Sequence, residues 1–207
     1  MIGANDNGIP KRAWQRMLSG RRLDLLNPSP SDIEIEDIAH GLARVARWNG
    51  QTLGAHAFSV AQHALIVEDI AWARNPGWKP SWRLAALLHD APEYVVGDLI
   101  SPFKTAIGLD YKAFELRLLA AIHTRFGLPE TLSSDVQAEI KVADGIAAYF
   151  EATRLAGFSE AEATIYFGQP NGLPAPVIGA LAAMTPLPAD EAQRNFLDRF
   201  RELIEPF

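Results

Sequence analysis

Cysteine is absent from the sequence. The chain therefore has no disulfide framework, no thiolate nucleophile and no thiolate metal site. Any metal ion that it binds has to be held by histidine and carboxylate side chains. This absence removes several classes of catalytic and metal-binding protein before any motif is considered.

An excess of basic residues is also lacking. The net charge of the 207 residues is −6 at pH 7, whereas long nucleic acids are bound largely through lysine and arginine contacts with phosphates. Long nucleic acids are therefore not expected partners. A small basic pocket for a nucleotide stays open as an alternative.

Long apolar runs are missing as well. No segment reaches the roughly 18 apolar residues that a membrane-spanning helix needs, and residues 1–10 contain no apolar core of signal-peptide length. We therefore expect a cytoplasmic protein with no membrane partner. The hydrophobic content of 48% is enough for a sizeable core, and the length predicts one domain, 1–207.

Strand-like alternation is almost absent, and the apolar residues recur mostly at helical spacing. The expected fold is all-α, with a core over about residues 33–157. The N-terminal segment, 1–32, contains a candidate short hairpin around Ser19-Gly20. The C-terminal segment, 158–207, ends in an amphipathic helix that packs on the domain or on a second subunit. The apolar residues of that helix are Phe196, Leu197, Phe200, Leu203 and Ile204.

Residues 84–93 carry a polar cluster directly out of a run suited to burial. His89 and Asp90 are adjacent, and Glu93 follows at i+4 and i+3, so on a helix the three side chains reach one region. Pro92 lacks an N–H and its ring crowds the preceding turn, which predicts a kink or a restart of the helix. Because buried charge has to be paired or bound to metal, the cluster is a candidate site or, alternatively, a satisfied polar pair.

Two further polar residues point inward on other predicted helices. His63 lies on the inner face of a helix over about 58–74, and Asp144 interrupts the apolar pattern of a later helix. Each has an ordinary alternative, which is a carbonyl-bonded histidine for His63 and a salt bridge for Asp144. His56 would lie roughly 10 Å from His63 along the axis and cannot share its ion, and His123 is interpreted as a packing residue.

Arg47 and Trp48 come where an apolar helical pattern that begins at Ile35 runs out, just before Gly50. Gly50 predicts a left-handed stop, so both residues are expected at a helix end. A cation at that position interacts favourably with the helix dipole, which is the ordinary explanation for Arg47.

Together, these inward residues predict one divalent-metal site without thiolate. The set comprises two imidazoles and two carboxylates: His63, His89, Asp90 and Asp144. It suits Mn, Fe, Co, Zn or Ni better than Mg, which prefers an all-oxygen shell. With four protein ligands, an octahedral ion keeps open positions for water and substrate.

The order of these residues resembles the HD-domain metal-dependent phosphohydrolases, and among them the bacterial 5'-deoxynucleotidases. The motifs that carry the resemblance are Arg47-Trp48, 61–65, 87–93, Gly97-Asp98 and 140–144. They cover roughly residues 33–157, and both terminal segments depart from the pattern.

The resemblance implies an all-α HD fold, one divalent cation, a nucleotide substrate and a homodimer. The implied reaction is hydrolysis of nucleoside 5'-monophosphates, with deoxyribonucleotides preferred, by attack of a metal-bound water. The implied roles are metal binding by His63, His89, Asp90 and Asp144, catalysis by Glu93 together with Asp90, and substrate binding by Arg47, Trp48 and Asp98. Lys104, in the loop that follows, is a weaker phosphate candidate whose alternative is an exposed loop lysine.

Two other functions remain open. One is another HD-type hydrolysis, of a nucleotide pyrophosphate, an alarmone or a phosphodiester, although longer phosphate chains would want more cations than Arg47 and Lys104 supply. The other is a metal-stabilised nucleotide-binding module without turnover. Glu93 argues against this module, because a carboxylate beside the ion that does not ligate it is dispensable for binding alone.

Overall fold

The computed structural model describes residues 13–99 and 111–204. Its architecture is helical with one short hairpin, which confirms the predicted fold class. The hairpin pairs β1 (Trp14–Arg16) with β2 (Arg22–Asp24) in antiparallel register, with Gln15 opposite Leu23. Gly20 has a φ of +88° in the connecting turn, a conformation that glycine adopts without steric cost.

Helices make up most of the rest of the described chain. They are α1 (Ile35–Leu42), α2 (Val60–Arg74), α3 (Pro80–Leu87), α4 (Glu93–Val96), α5 (Tyr111–Arg125), α6 (Ser134–Arg154), α7 (Glu160–Phe167), α8 (Ala175–Ala182) and α9 (Ala189–Ile204). Two 3-10 turns, Pro30–Asp32 and Arg47–Gly50, flank α1. No helix within the described ranges has both the length and the apolar character needed to cross a membrane.

Helix α2 lies at the centre of the packing. It contacts α6, α3 and α9, and Val67 and Ile70 are fully buried in the core. The amphipathic helix α9 packs on this core through Phe196 and Phe200. Of the two predicted positions for that helix, the structure shows packing on the domain. His63, in the first turn of α2, is fully buried in this arrangement.

A buried ion-pair network joins the three helices α2, α3 and α9. Glu68 of α2 is fully buried, and its carboxylate accepts from Arg83 of α3 at 2.5 Å and from Arg199 of α9. Two arginines offset the desolvation of one carboxylate, which a single exposed partner would not do. The network therefore fixes α9 against the helix that carries His63.

The predicted break beside Pro92 is confirmed. Helix α3 ends at Leu87, and Pro92 is the residue before the short helix α4. His89 and Asp90 consequently lie in the tight turn between the two helices rather than on a continuous helix. The turn is closed by backbone hydrogen bonds such as the one from the Glu93 N–H to the Asp90 carbonyl, at 3.0 Å.

The predicted position of Arg47 at a helix end is wrong. Helix α1 ends at Leu42, the chain turns over residues 43–45, and Ala46 is extended. The Arg47 N–H donates to the Phe58 carbonyl at 2.8 Å, and the Val60 N–H donates to the Val45 carbonyl at 3.0 Å. Because this pairing with a distant segment satisfies backbone groups, it overrides the helical pattern that continues in the sequence.

Candidate metal centre

Three separate elements bring the predicted ligands together. His63 lies in the first turn of α2, where Ser59 caps the helix by accepting from the Gln62 N–H at 3.3 Å. His89 and Asp90 come from the turn between α3 and α4, and Asp144 comes from the middle of α6. The positions of all four residues thus depend on tertiary packing and not on one local motif.

Asp90 is the shared neighbour of both histidines. Its Oδ2 atom lies 3.4 Å from Nε2 of His63 and 3.2 Å from Nε2 of His89. The ligand atoms of these three residues all lie within 4.8 Å of one another. Such a group is compact enough to surround one cation.

Asp144 lies at the edge of this group. Its Oδ1 atom is 3.4 Å from Nε2 of His63, while its Oδ2 atom accepts from Lys141 Nζ at 2.8 Å. Both interpretations of Asp144 from the sequence are therefore present, since one oxygen faces the site and the other forms a salt bridge. The Lys141 side chain is 82% exposed, so the pair is a surface interaction of small energetic worth.

The outer ring nitrogens of both imidazoles are held by acceptors. Nδ1 of His63 donates to Glu151 Oε1 at 2.5 Å, and Nδ1 of His89 donates to the Ala86 carbonyl at 2.8 Å. Within the described part of the chain, neither Nε2 atom has a hydrogen-bond partner. Metal-ligating histidines show this pattern, because the second-shell acceptor directs the free lone pair of the other nitrogen at the ion.

The surrounding charges favour a positive occupant. Burial alone would raise the pKa of Asp90, but the two imidazoles hold that pKa well below its usual range. Burial and the Arg47 charge lower the pKa of His63, but the carboxylates, Glu151 first, raise it well above its ordinary value. A proton on His63 and a divalent cation are thus alternative positive charges for the same place between the carboxylates.

Glu151 is a site residue that the motif reasoning missed. Its side chain is fully buried and accepts three hydrogen bonds, from His63, from Arg47 Nε at 3.0 Å and from Trp48 Nε1 at 2.9 Å. Burial acts to raise the pKa of Glu151, but Arg47 and His63 outweigh it and hold the pKa at about 2. A signal was present in the sequence, because Glu151 follows Asp144 by two helical turns on the same face of α6.

Arg47 and Trp48 belong to a strained turn. Trp48 and Asn49 have φ values of 57° and 52°, a left-handed conformation that costs L-residues roughly 1–2 kcal/mol each. The turn places Arg47 Nη1 at 3.7 Å from Asp90 Oδ2 and 3.9 Å from Asp98 Oδ2. Arg47 therefore lies beside Asp90 of the ligand group and also contacts Asp98.

The contacts of Trp48 extend into the C-terminal segment. Its ring centroid lies 5.7 Å from the rings of both Phe158 and Phe167, in tilted and edge-to-face arrangements that aromatic pairs favour. The indole N–H is already donated to Glu151. Trp48 can therefore offer a substrate an apolar surface but not a hydrogen bond from this group.

The remaining predicted residues have different positions. Glu93 is buried at the start of α4, three residues after Asp90, and Lys104 lies outside the described residues. His56 lies before the start of α2 and is exposed. His123 is buried, and its Nδ1 donates to the Pro129 carbonyl at 3.2 Å, which agrees with a packing role.

Comparison with known proteins identifies the relatives of the chain. It is 57% identical over 194 residues to the uncharacterized protein RCAP_rcc00048 of Rhodobacter capsulatus, with 94% of this chain and 97% of that protein covered. It is 30% identical over 190 residues to the uncharacterized protein YfdR of Escherichia coli, with 92% and 95% covered. The chain belongs to the YfdR family. No family model matches it.

The similarity to the YfdR family is nearly full-length. A match over 194 residues is longer than the segment 33–157 and includes much of the C-terminal segment. The helices that follow α6 are therefore a shared part of the YfdR family rather than an addition peculiar to this chain. Neither relative's name states an activity, so a function has to be argued from the site.

Proposed function

We propose that the protein is a divalent-metal-dependent phosphohydrolase that removes phosphate from nucleoside 5'-monophosphates, with deoxyribonucleotides preferred. The observation that carries this proposal is the pair of imidazoles of His63, which is buried, and His89, which is half-buried; their Nε2 atoms face one carboxylate while their Nδ1 atoms are hydrogen-bonded to protein acceptors. The motif resemblance to the HD-domain 5'-deoxynucleotidases supplies the substrate class.

The residues present fit one divalent ion. His63, His89, Asp90 and Asp144 would hold it, and the two imidazoles with two carboxylates suit Mn, Co, Fe, Zn or Ni better than Mg. When bound, such an ion polarises phosphoryl oxygens and lowers the pKa of coordinated water. Asp144 can turn to the site at small cost, because its competing contact with Lys141 is exposed.

Glu93 is proposed to orient the attacking water and take its proton. It is a buried carboxylate at the start of α4, in the same tight turn as Asp90. General base catalysis by a placed side chain contributes roughly 10²- to 10⁴-fold to turnover.

Arg47 is proposed to bind the phosphate, with a restriction imposed by Glu151. Because Arg47 Nε is donated to Glu151, only the terminal nitrogens of the guanidinium can reach a substrate oxygen. Nη1 already points toward Asp90 and Asp98. Arg47 therefore supplies a fixed positive charge beside the ligand group, and Trp48 and Asp98 supply an apolar surface and an acceptor for the nucleoside.

The test is direct phosphate release from a panel of nucleotides by protein stripped with a chelator and reloaded with single metals. Nucleoside 5'-monophosphates should be hydrolysed only after metal is restored, and deoxyribonucleotides faster than ribonucleotides. Faster cleavage of diphosphates, triphosphates, an alarmone or a phosphodiester would contradict the proposal in favour of another HD-type hydrolysis. Metal-dependent nucleotide binding without release would indicate a binding module.

The same proposal includes a cytoplasmic location and a homodimer. Both follow from the resemblance to the 5'-deoxynucleotidases and from a substrate that is a soluble cytoplasmic metabolite. Light scattering coupled to size-exclusion chromatography tests the dimer, which should have about twice the chain mass of 22.7 kDa. A monomer at micromolar concentration would contradict this part alone.

A further inference from the structure

Glu151 connects His63 with the Arg47-Trp48 turn, which lies on a different element of the fold. Its Oε1 atom accepts from Nδ1 of His63 at 2.5 Å, and its Oε2 atom accepts from Arg47 Nε at 3.0 Å and Trp48 Nε1 at 2.9 Å. The side chain is completely enclosed. Removal of the His63 donor would therefore leave Oε1 buried without a partner, which is costly, and removal of Arg47 or Trp48 would leave Oε2 with one donor instead of two.

We propose that Glu151 is a positioning residue that fixes the orientation and tautomer of His63 toward the metal and, through its second oxygen, holds the Arg47-Trp48 turn against the same site. The metal half of this inference stands on the geometry alone, whereas the substrate half rests on the proposed function. Glu151 touches neither reacting atoms nor, by its contacts, the ion, since both its oxygens are directed to protein donors.

The two oxygens explain why an amide cannot replace the carboxylate. A glutamine at this position has one acceptor oxygen, whereas the two oxygens of Glu151 accept from three donors. If the amide oxygen stays with Arg47 and Trp48, its NH₂ group faces Nδ1 of His63. The neutral imidazole then has to accept at Nδ1 and carry its proton on Nε2, which removes the lone pair directed at the ion.

The opposite orientation of the amide is no better for the site. If the oxygen stays with His63, the NH₂ group faces the N–H groups of Arg47 and Trp48, and donors meet donors. The charged Arg47 then loses its closest acceptor, and the strained turn at Trp48 and Asn49 loses a contact that holds it. Either way, Glu151→Gln affects the metal side, the substrate side, or both.

The decisive measurement is the zinc affinity of Glu151→Gln, obtained by competition with a chromophoric chelator. We expect binding to weaken by about 10- to 100-fold, the usual effect of losing a second-shell partner. Glu68→Gln is the matched control, because Glu68 is also a fully buried carboxylate with charged donors but lies in the α2–α3–α9 network. It should lower stability and leave the zinc affinity unchanged. Wild-type zinc affinity in Glu151→Gln, together with an unchanged KM for nucleotide in the metal-loaded variant, would overturn the inference, because the amide disturbs at least one side in either orientation.

A second measurement needs no variant and decides the matter if Glu151→Gln does not fold. In zinc-loaded wild-type protein, nitrogen-15 NMR should show His63 bound through Nε2, with a slowly exchanging proton on Nδ1 bonded to Glu151. Coordination through Nδ1, with the proton on Nε2, would overturn the inference. Conserved zinc binding and the expected tautomer without any nucleotide hydrolysis would instead reject the proposed function and leave the metal role of Glu151 intact.

The substrate half has its own readout in steady-state kinetics. At saturating metal, Glu151→Gln should raise KM for the best nucleotide by about tenfold, the value of one charge-assisted hydrogen bond. Arg47 is then no longer fixed beside the ligand group. An unchanged KM with weakened zinc binding would mean that the amide oxygen stays with the Arg47-Trp48 turn, whereas an unchanged KM with wild-type zinc affinity would overturn the connection of Glu151 to that turn.

Discussion

Asp144 lies beside His63, with 3.4 Å between its Oδ1 atom and the imidazole Nε2. The other carboxylate oxygen is bonded to the exposed Lys141. A shift of the Asp144 side chain toward an ion would break only the exposed contact with Lys141. Substitution of Asp144 is therefore a clean test of its role as a ligand.

Asp144→Ala should abolish tight metal binding and the stability that metal confers. An ion at about 100 times its Kd stabilises the native state by about 2.7 kcal/mol, so the thermal midpoint of wild-type protein should rise with added metal and that of the variant should not. Asp135→Asn, an exposed carboxylate on the same helix, is the control. Full metal content in Asp144→Ala would remove Asp144 from the ligand set.

Glu93→Gln should separate metal binding from turnover. Glutamine keeps the size of Glu93 but cannot accept a proton, so kcat should fall by roughly 10²- to 10⁴-fold with metal content unchanged. Glu130→Gln, in an exposed loop, should keep wild-type kcat. Loss of metal in Glu93→Gln would make Glu93 a ligand, and near-normal kcat would show that no base is required.

At Asn49, glycine should destabilise the protein less than alanine does, which is the reverse of their order in a helix. Because Asn49 has a φ of 52°, Asn49→Ala should be less stable than Asn49→Gly by about 1 kcal/mol. At Asn195, an exposed position inside α9, the order should reverse by a similar amount, since glycine is the poorer helix former. Urea unfolding of the four variants measures both differences, and equal ordering at the two positions would contradict the strained turn.

His123 should make the protein less stable in mild acid. Burial lowers the pKa of His123 against the opposing effect of the Pro129 carbonyl, so the unfolded chain binds the proton more readily than the folded one. The stability that neutral His123 confers is complete above its ordinary pKa of about 6.5 and is lost as the pH falls from there through the lowered folded value.

His123→Gln should therefore lose less stability than wild-type protein between neutral pH and mild acid. Urea unfolding at a series of pH values measures the difference. The exposed His56 provides the control, because His56→Gln should follow the wild-type curve. A His123→Gln curve parallel to that of the wild type would show that burial of His123 does not affect proton binding.

The sequence predicted the helices and breaks that carry the site residues better than the hydrogen bonds that join those residues across the fold. Apolar periodicity placed His63 on the inner face of α2, because Val67 and Ile70 on the same helix are core residues. Pro92 predicted the break beside His89 for a local steric reason. These inferences needed only short-range chemistry, and the structure agrees with them.

Features that depend on distant segments were beyond such reasoning. The helical pattern continued past Leu42, but pairing with the segment around Phe58 took the backbone out of the helix. Glu151 looked like an ordinary helix carboxylate, since its three donors come from residues 88 to 104 positions earlier. The sequence carries a local signal for each feature, Asn49-Gly50 for the left-handed turn and the seven-residue spacing of Asp144 and Glu151 for the network, but neither signal names the distant partners.

The arginine pair on Glu68 also makes the packing of α2 depend on α9, the last helix of the described chain. Glu68 and His63 lie on the same helix, α2, while Arg199, Phe196 and Phe200 lie on α9. A nascent chain that still lacks α9 exposes core surface and leaves that carboxylate short of a partner, and domains generally fold as units as they emerge from the ribosome. Chains truncated ahead of Arg199 should therefore be more sensitive to proteolysis than the full chain.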